Sequence, residues 1–292
     1  MSVVVSAEDV RKLRAKTGSG ILDCKHALVE SGGDMVLAID WLRKKGLAKA
    51  GMKAGRAVFD GLVGVSVSGL AGALVEVNSE TDFVARNAVF GDLARNLSNL
   101  SLSVNGSIER LLEMPYPNTD RTVSEHISDT IAMMGESIRL RRTECISVGS
   151  GVIAQYVHNS VSQGVGRIGV LVAVESFGDQ EQLAILGHKL AMHVAGHDPA
   201  PLVVHVEDTD KESLRRGCDP YVAQKITQVK KSEVIEPRSF YEDVVLLSQK
   251  FIFDPGVTVG GEIERVAREL GCSVTVKSFI RYLVGEDLDV KS

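Results

Sequence analysis

The sequence predicts an α+β fold: a small amino-terminal unit of three helices, then two units that each combine an antiparallel strand pair with a covering helix. Three observations carry this expectation. Apolar positions at three-and-four spacing fill residues 6–46 and are interrupted by two turn-forming clusters, Thr17-Gly18-Ser19-Gly20 and Ser31-Gly32-Gly33-Asp34. Two alternating apolar segments, 61–67 and 71–77, lead into a helical pattern. The same strand, strand, helix order returns at 151–157, 168–174 and 180–195. An internal duplication is the economical reading, because a lone antiparallel pair needs a helix to cover one face.

In the first unit, Met35, Ala38, Ile39 and Leu42 make one apolar face of a third helix that is expected to end at Gly46. A bundle this small resembles a ubiquitin-associated-type (UBA-like) module, and the Ala-, Gly- and base-rich stretch 49–56 reads as a linker, giving a module and linker over 1–55. The first sheet-and-helix subdomain takes 56–149. Phe90, Leu93, Ala94, Leu97 and Leu100 line one side of the helix beginning near Asp82, and a helix around 127–140 and a strand at 144–148 complete the subdomain.

The second subdomain takes 150–198 together with 241–286. Leu183, Leu186, Leu190 and Val194 share one helix side. Ile263, Val266, Ala267 and Leu270 form a later helix capped by Gly271, before a strand at 273–284. Between the two pieces lies an inserted, partly helical arm, 199–240, which is charged, contains Pro220 and Pro237, and has no sustained heptads. A tail follows over 287–292.

Aromatic residues are only 5% of the chain, so the core must be aliphatic. The net charge of −5 is unevenly spread: residues 1–56 hold 11 Lys and Arg against 6 Asp and Glu, so the remainder is the acidic part. A basic first segment suits either an anionic partner or a solvated face, and both readings stay open. Cys24, Cys145, Cys218 and Cys272 are far apart with no C-x-x-C, as expected of reduced thiols in a cytosolic protein. The longest apolar run, 168–174, is far shorter than a membrane span, so a cytoplasmic protein without membrane contact is expected.

The corner from Asn78 to Asn87 joins a strand to a helix. Ser79-x-x-Asp82 has the form of a capping box, with Thr81 as the alternative cap, and either choice puts Asp82 and Phe83 in the first helical turn. The aromatic then either packs inward or is presented at the edge of a rigid scaffold. Gly164-Val165-Gly166-Arg167-Ile168-Gly169 matches G-x-G-x-x-G, but a dinucleotide site needs those glycines after a strand and opening a helix. Here they lie between two strands, which reads as a hairpin turn. A kinase loop is excluded too: the following strand lacks lysine, Val84 rather than glycine follows Asp82-Phe83, and there is no H-R-D. No G-x-x-x-x-G-K-[ST] occurs, so neither direct nucleotide binding nor a cofactor is expected. His193 and His197 could reach one metal from a helix, but no glutamate follows His193 and both lie near the apolar face. They read as packed or partner-facing, with no metal site.

Thr81-Asp82-Phe83-Val84-Ala85-Arg86 is similar to the signature of bacterial and organellar elongation factor Ts, the nucleotide exchange factor family of elongation factor Tu. Further matches follow in the family's order: 13–20 with Asp23-Cys24-Lys25-His26-Ala27-Leu28, His158, 167–172, Ala191-Met192-His193-Val194-Ala195, and 279–286. The resemblance covers roughly nine tenths of the chain and is weakest between Glu207 and Phe240. It implies a guanine nucleotide exchange factor without covalent chemistry, in which Thr81, Asp82, Phe83 and Val84 meet the GTPase near its magnesium site and dislodge Mg²⁺. It also implies partner contacts at Ile21, Leu22, Lys25, Met134, Gly135, His158, His193 and Ile252. By residue type alone, Ile21 and Leu22 would be core and His158 merely solvent-exposed. The arm's position resembles a family dimerisation element, but its repeat is poor, so a homodimer is left open. Some family members continue past the position of Gly285-Glu286 into a helical module that touches the partner, and that contact is expected to be missing. The alternative to exchange is a helical binding module on a scaffold, which would form a complex without accelerating nucleotide release.

Overall fold

The computed structural model describes residues 5–17, 19–53, 58–209 and 237–286. Helices α1 (Ala7–Thr17), α2 (Ile21–Glu30) and α3 (Met35–Lys53) close around Leu13, Cys24, Ala27, Leu28 and Ala38. Asp34 starts α3 by accepting from the backbone N–H groups of Val36 and Leu37 at 2.8 and 3.0 Å, satisfying donors with no partner inside the helix. The helix does not stop at Gly46. It continues through Lys53, so the first part of the expected linker is helical, while 54–56 lie outside the described residues.

Strands β1 (Asp60–Ser68), β2 (Ala71–Ser79), β3 (Ile138–Ser147) and β5 (Val165–Gly166) form a sheet in the order β3-β2-β1-β5. A second sheet, β4-β6-β9, is built from β4 (Gly151–His158), β6 (Ile168–Ser176) and β9 (Val274–Leu283). A short hairpin, β7 (Lys250–Phe251) with β8 (Asp254–Thr258), lies outside both sheets, and the pairings among these nine strands are antiparallel. Successive side chains leave opposite faces of a strand, and here both faces are covered. Val63, Val65 and Leu74 of the first sheet meet Leu171, Ala173 and Ile280 of the second. Leu62, Val75 and Val77 turn the other way, under α5 (Ala88–Ser101), α6 (Ile108–Glu113) and α7 (Val123–Met134). Val170, Val172, Val174 and Val276 lie under α8 (Gln180–Gly196) and α10 (Val259–Leu270). The layers are helix, sheet, sheet, helix, a mixed fold of helix and antiparallel sheet. Each strand pair therefore uses a helix on one face, as expected, and the neighbouring sheet on the other.

The glycine motif serves this packing. A Cβ on Gly169 would stand 2.5 Å from Val63 Cγ1, and one on Gly166 would stand 2.5 Å from Val157 Cγ1. The segment connects β4 to β6, and β5 crosses over to pair with β1. A phosphate-binding turn at the start of a helix is not what these glycines form.

A buried carboxylate ties the chain's last described residues to the first sheet. Glu76 is fully buried and accepts from Arg142 Nε at 2.7 Å, Arg141 Nη1 at 3.0 Å, Asn78 Nδ2 at 2.9 Å and the backbone N–H of Gly285 at 2.9 Å. Burial pushes its pKa up, but the Arg142 charge and the three hydrogen bonds outweigh that, and the group sits below the ordinary glutamate value.

Helix α7 opens with a capping box, Thr122 with Glu125, and closes at Gly135 with φ +77°, a left-handed cap that glycine adopts without strain. The helix expected to reach Leu140 thus ends at Met134, and β3 begins at Ile138 rather than Glu144. Most of the arm, 210–236, lies outside the described residues; α9 (Pro237–Val244) follows it. Cys24, Cys145 and Cys272 are free thiols, and Cys218 falls in the undescribed stretch. Among the described residues, no helix is long and apolar enough to cross a membrane.

Candidate functional site

Strand β2 delivers the chain into a single helical turn, α4 (Asp82–Ala85). Neither expected cap forms. Ser79 is buried and its hydroxyl donates to the Thr81 carbonyl at 3.0 Å. Thr81 is the N-cap by position, but its Oγ1 makes no capping bond and instead donates to Glu136 Oε1 at 2.7 Å. Its backbone N–H donates to Glu136 Oε2 at 3.0 Å. In the other direction, the Ser137 N–H donates to Glu80 Oε1 at 2.7 Å. Each segment lends a carboxylate to the other's backbone, and hydrogen bonds to charged acceptors are the stronger kind. The sequence offered no local signal for this clasp, since its partners are 55 and 57 positions apart.

The clasp fixes the base of a turn whose side chains divide sharply. Phe83 is 79% exposed, whereas Val84 is 8% exposed and packs with Ala85 and Phe90 in the core. The inward-packing alternative for Phe83 is thereby excluded. Val84, expected as a partner contact, instead anchors the turn from below. Asp82 lies beside Phe83 and pairs with Arg86 at 2.8 Å, both partly open to solvent. The chain then breaks at Asn87, whose side chain accepts from the Val89 N–H and starts α5, so the single expected helix is two.

Met134 and Gly135 end α7 next to the clasp, Met134 half-buried and Gly135 exposed. The structure therefore brings Thr81, Asp82, Phe83, Met134 and Gly135 into one neighbourhood. Helix α3 packs against α7, which mounts the amino-terminal unit on the same helix. A cavity of about 340 Å³ remains between them, lined by Lys16, Ile39, Arg121, His126 and Met133 among others. On α2, Ile21, Leu22 and Lys25 are exposed, with Leu22 at 75%. The buried face uses Cys24, Ala27 and Leu28 instead, so Ile21 and Leu22 are not core residues.

The other expected contacts belong to the second sheet, to α8 and to the β7–β8 hairpin. His158 ends β4 exposed, with Nδ1 3.2 Å from the Tyr156 hydroxyl. Ile252 is part-exposed at the turn of the β7–β8 hairpin. His193 is fully buried on α8, so its expected role as a direct partner contact is corrected: its ring touches only the protein interior. Its Nδ1 accepts from the Ile252 N–H at 3.3 Å and its Nε2 donates to Gln249 Oε1 at 3.0 Å. Burial lowers its pKa from 6.5 to about 4, so the ring is neutral near pH 7.

Similarity to known proteins extends over nearly the whole chain. The family model described as elongation factor TS matches residues 80–286. An elongation factor Ts from Rhizobium leguminosarum bv. trifolii is 44% identical over 291 residues, covering 98% of this chain and 94% of the relative. With the same coverage, those of Parvibaculum lavamentivorans and Bartonella henselae are 43% and 42% identical.

Proposed function

This chain belongs to the elongation factor Ts family, and on that footing we propose that it is the guanine nucleotide exchange factor of elongation factor Tu, acting in the cytoplasm during translation elongation. It binds the GDP-bound GTPase, displaces the partner's Mg²⁺ and promotes GDP release. No covalent bond changes. The observation that carries this reading is Phe83, a large apolar side chain held 79% exposed on a turn whose neighbours Val84 and Ala85 are buried. Exposing an aromatic costs hydrophobic free energy in the isolated chain, and the rigid base is what allows the ring to act as a wedge.

Phe83 enters the partner while Asp82 flanks it. Moving the elements that hold Mg²⁺ weakens nucleotide binding, because the cation neutralises phosphate oxygens. Thr81 and Val84 hold the turn from the two sides, by the Glu136 bonds and by core packing. Met134 and Gly135 extend the surface, and Ile21, Leu22 and Lys25 add a second contact from a UBA-like unit over 1–55. His158 and Ile252 supply contacts from the 150–198 and 241–286 subdomain, a duplicate of the 56–149 subdomain. The arm over 199–240 and the tail over 287–292 are additions to this core.

The test is stopped-flow release of labelled GDP from elongation factor Tu, with and without this chain. Accelerated release supports exchange. Complex formation without acceleration would leave a binding scaffold, because a protein that binds the GDP-bound and empty states alike cannot shift the equilibrium between them.

A further inference from the structure

We propose that His193 is a positioning residue for the exchange surface: its two ring nitrogens form a buried strut between Gln249 and the Ile252 backbone, fixing the β7–β8 turn that presents Ile252 and Phe253. This rests on the exchange reading above. Three sets of contacts carry it.

The first is the hydrogen-bond inventory around Gln249, which is fully buried. Its Nε2 donates to the Pro199 carbonyl at 3.1 Å and to the Asp243 carbonyl at 2.9 Å. Both amide hydrogens are thereby used, and Oε1 is left as an acceptor. His193 Nε2 must therefore carry the proton that donates to it at 3.0 Å. A neutral imidazole with Nε2–H has a bare Nδ1, the only kind of partner that the Ile252 N–H can use. The tautomer follows from the contacts on either side.

The second is the reach of Gln249. The Pro199 and Asp243 carbonyls belong to the segments leaving α8 and ending α9, and the Gln249 carbonyl accepts from the Val259 N–H at 2.9 Å at the start of α10. The strut therefore joins the pieces of chain on either side of the arm. The third is the division within the hairpin. Phe251 is buried, with its ring centroid 5.9 Å from that of His193, while Ile252 and Phe253 are exposed at 39% and 47%. A two-residue strand cannot hold such a turn by its own ladder, and the buried ring supplies the missing support.

His193→Asn and His193→Gln separate the strut from mere space-filling. An Asn amide reaches the position of Nδ1 and can accept from the Ile252 N–H. A Gln amide reaches the position of Nε2, bonds Gln249 and leaves Ile252 unpaired. Two readouts are used: amide hydrogen exchange at Ile252 in the chain alone, and GDP release from elongation factor Tu as a function of exchange-factor concentration. Both variants are first checked for cooperative thermal unfolding.

The expected result for His193→Gln is Ile252 exchange faster by about two- to ten-fold and a half-saturating concentration raised by a similar factor, the range of one neutral hydrogen bond. Its maximal rate is unchanged, since the Phe83 corner is untouched. His193→Asn restores both quantities toward wild type. If the two variants move together in either direction, the role is packing alone and the strut is overturned. If the wild-type chain fails to release GDP, the exchange reading falls, and Ile252 amide protection still decides the strut separately.

Discussion

Glu136 holds Thr81 twice, accepting from its backbone N–H at 3.0 Å and from its hydroxyl at 2.7 Å. The corner that carries Phe83 is therefore fastened to the end of α7 and to the start of β3 rather than capped by its own residues. Removing the carboxylate with Glu136→Ala should cost about 1–3 kcal/mol, the usual loss for hydrogen bonds to a charged group, and should slow exchange at saturating concentration. Chemical denaturation and GDP-release kinetics measure the two effects. Lower stability with wild-type exchange would make the clasp a purely structural tie.

This arrangement also marks where sequence reading stops. The β1, β2, β4 and β6 segments were visible as apolar runs, and α8 and α10 as apolar faces, because those patterns are local. Ser79-x-x-Asp82 has the spacing of a capping box, yet a glutamate far along the chain takes Thr81, and Asn87 caps a second helix that the continuous pattern of Phe90, Leu93 and Leu97 conceals. Gly135 signals a helix end by its backbone, but Leu140 keeps the apolar spacing going, so the expected helix overran. The face-to-face packing of the sheets and the crossing of β5 to β1 depend on pairings between distant segments, which no window of sequence contains. In the candidate site the acid–aromatic pair was legible. The burial of Val84 was not, since it directly follows the exposed Phe83 in a single helical turn, and for His193 the apolar face left packed and partner-facing readings side by side.

Glu76→Gln should be strongly destabilising. It removes the charge facing Arg141 and Arg142, whose side chains are largely buried, and breaking such a pair typically costs about 3–5 kcal/mol. Because the folded-state pKa of Glu76 is lowered, its contribution is present above the unfolded value and is lost as pH falls through the folded one. Urea denaturation at neutral pH checks the magnitude. A loss under about 1 kcal/mol would mean that the arginines find other partners.

Removing residues 1–57 should leave a folded core that associates more weakly with elongation factor Tu. The first three helices have their own core around Leu13 and Leu28, and the two sheets begin at Asp60. Circular dichroism and calorimetric titration would test this. Aggregation would show that α7 needs α3 to cover it, and unaltered affinity would remove Ile21, Leu22 and Lys25 from the contact.

Acid should destabilise the protein through His193. Its folded-state pKa, about 4, lies below the ordinary 6.5, so the unfolded chain binds the extra proton first as pH falls. The stabilisation is complete above pH 6.5 and is lost between there and about 4, at most on the order of 3 kcal/mol. Melting temperatures of the wild type and of His193→Asn across this window should converge or cross as pH drops. Parallel curves would mean that His193 stays solvated enough to titrate normally.

The wedge itself is tested by stopped-flow GDP release from elongation factor Tu with wild-type chain and with Phe83→Ala, beside their melting curves. Phe83 is exposed, so its truncation should leave the melting temperature unchanged and slow exchange by roughly thirty-fold, as for an anchoring aromatic worth about 2 kcal/mol. Unchanged exchange by a folded Phe83→Ala chain would contradict the wedge.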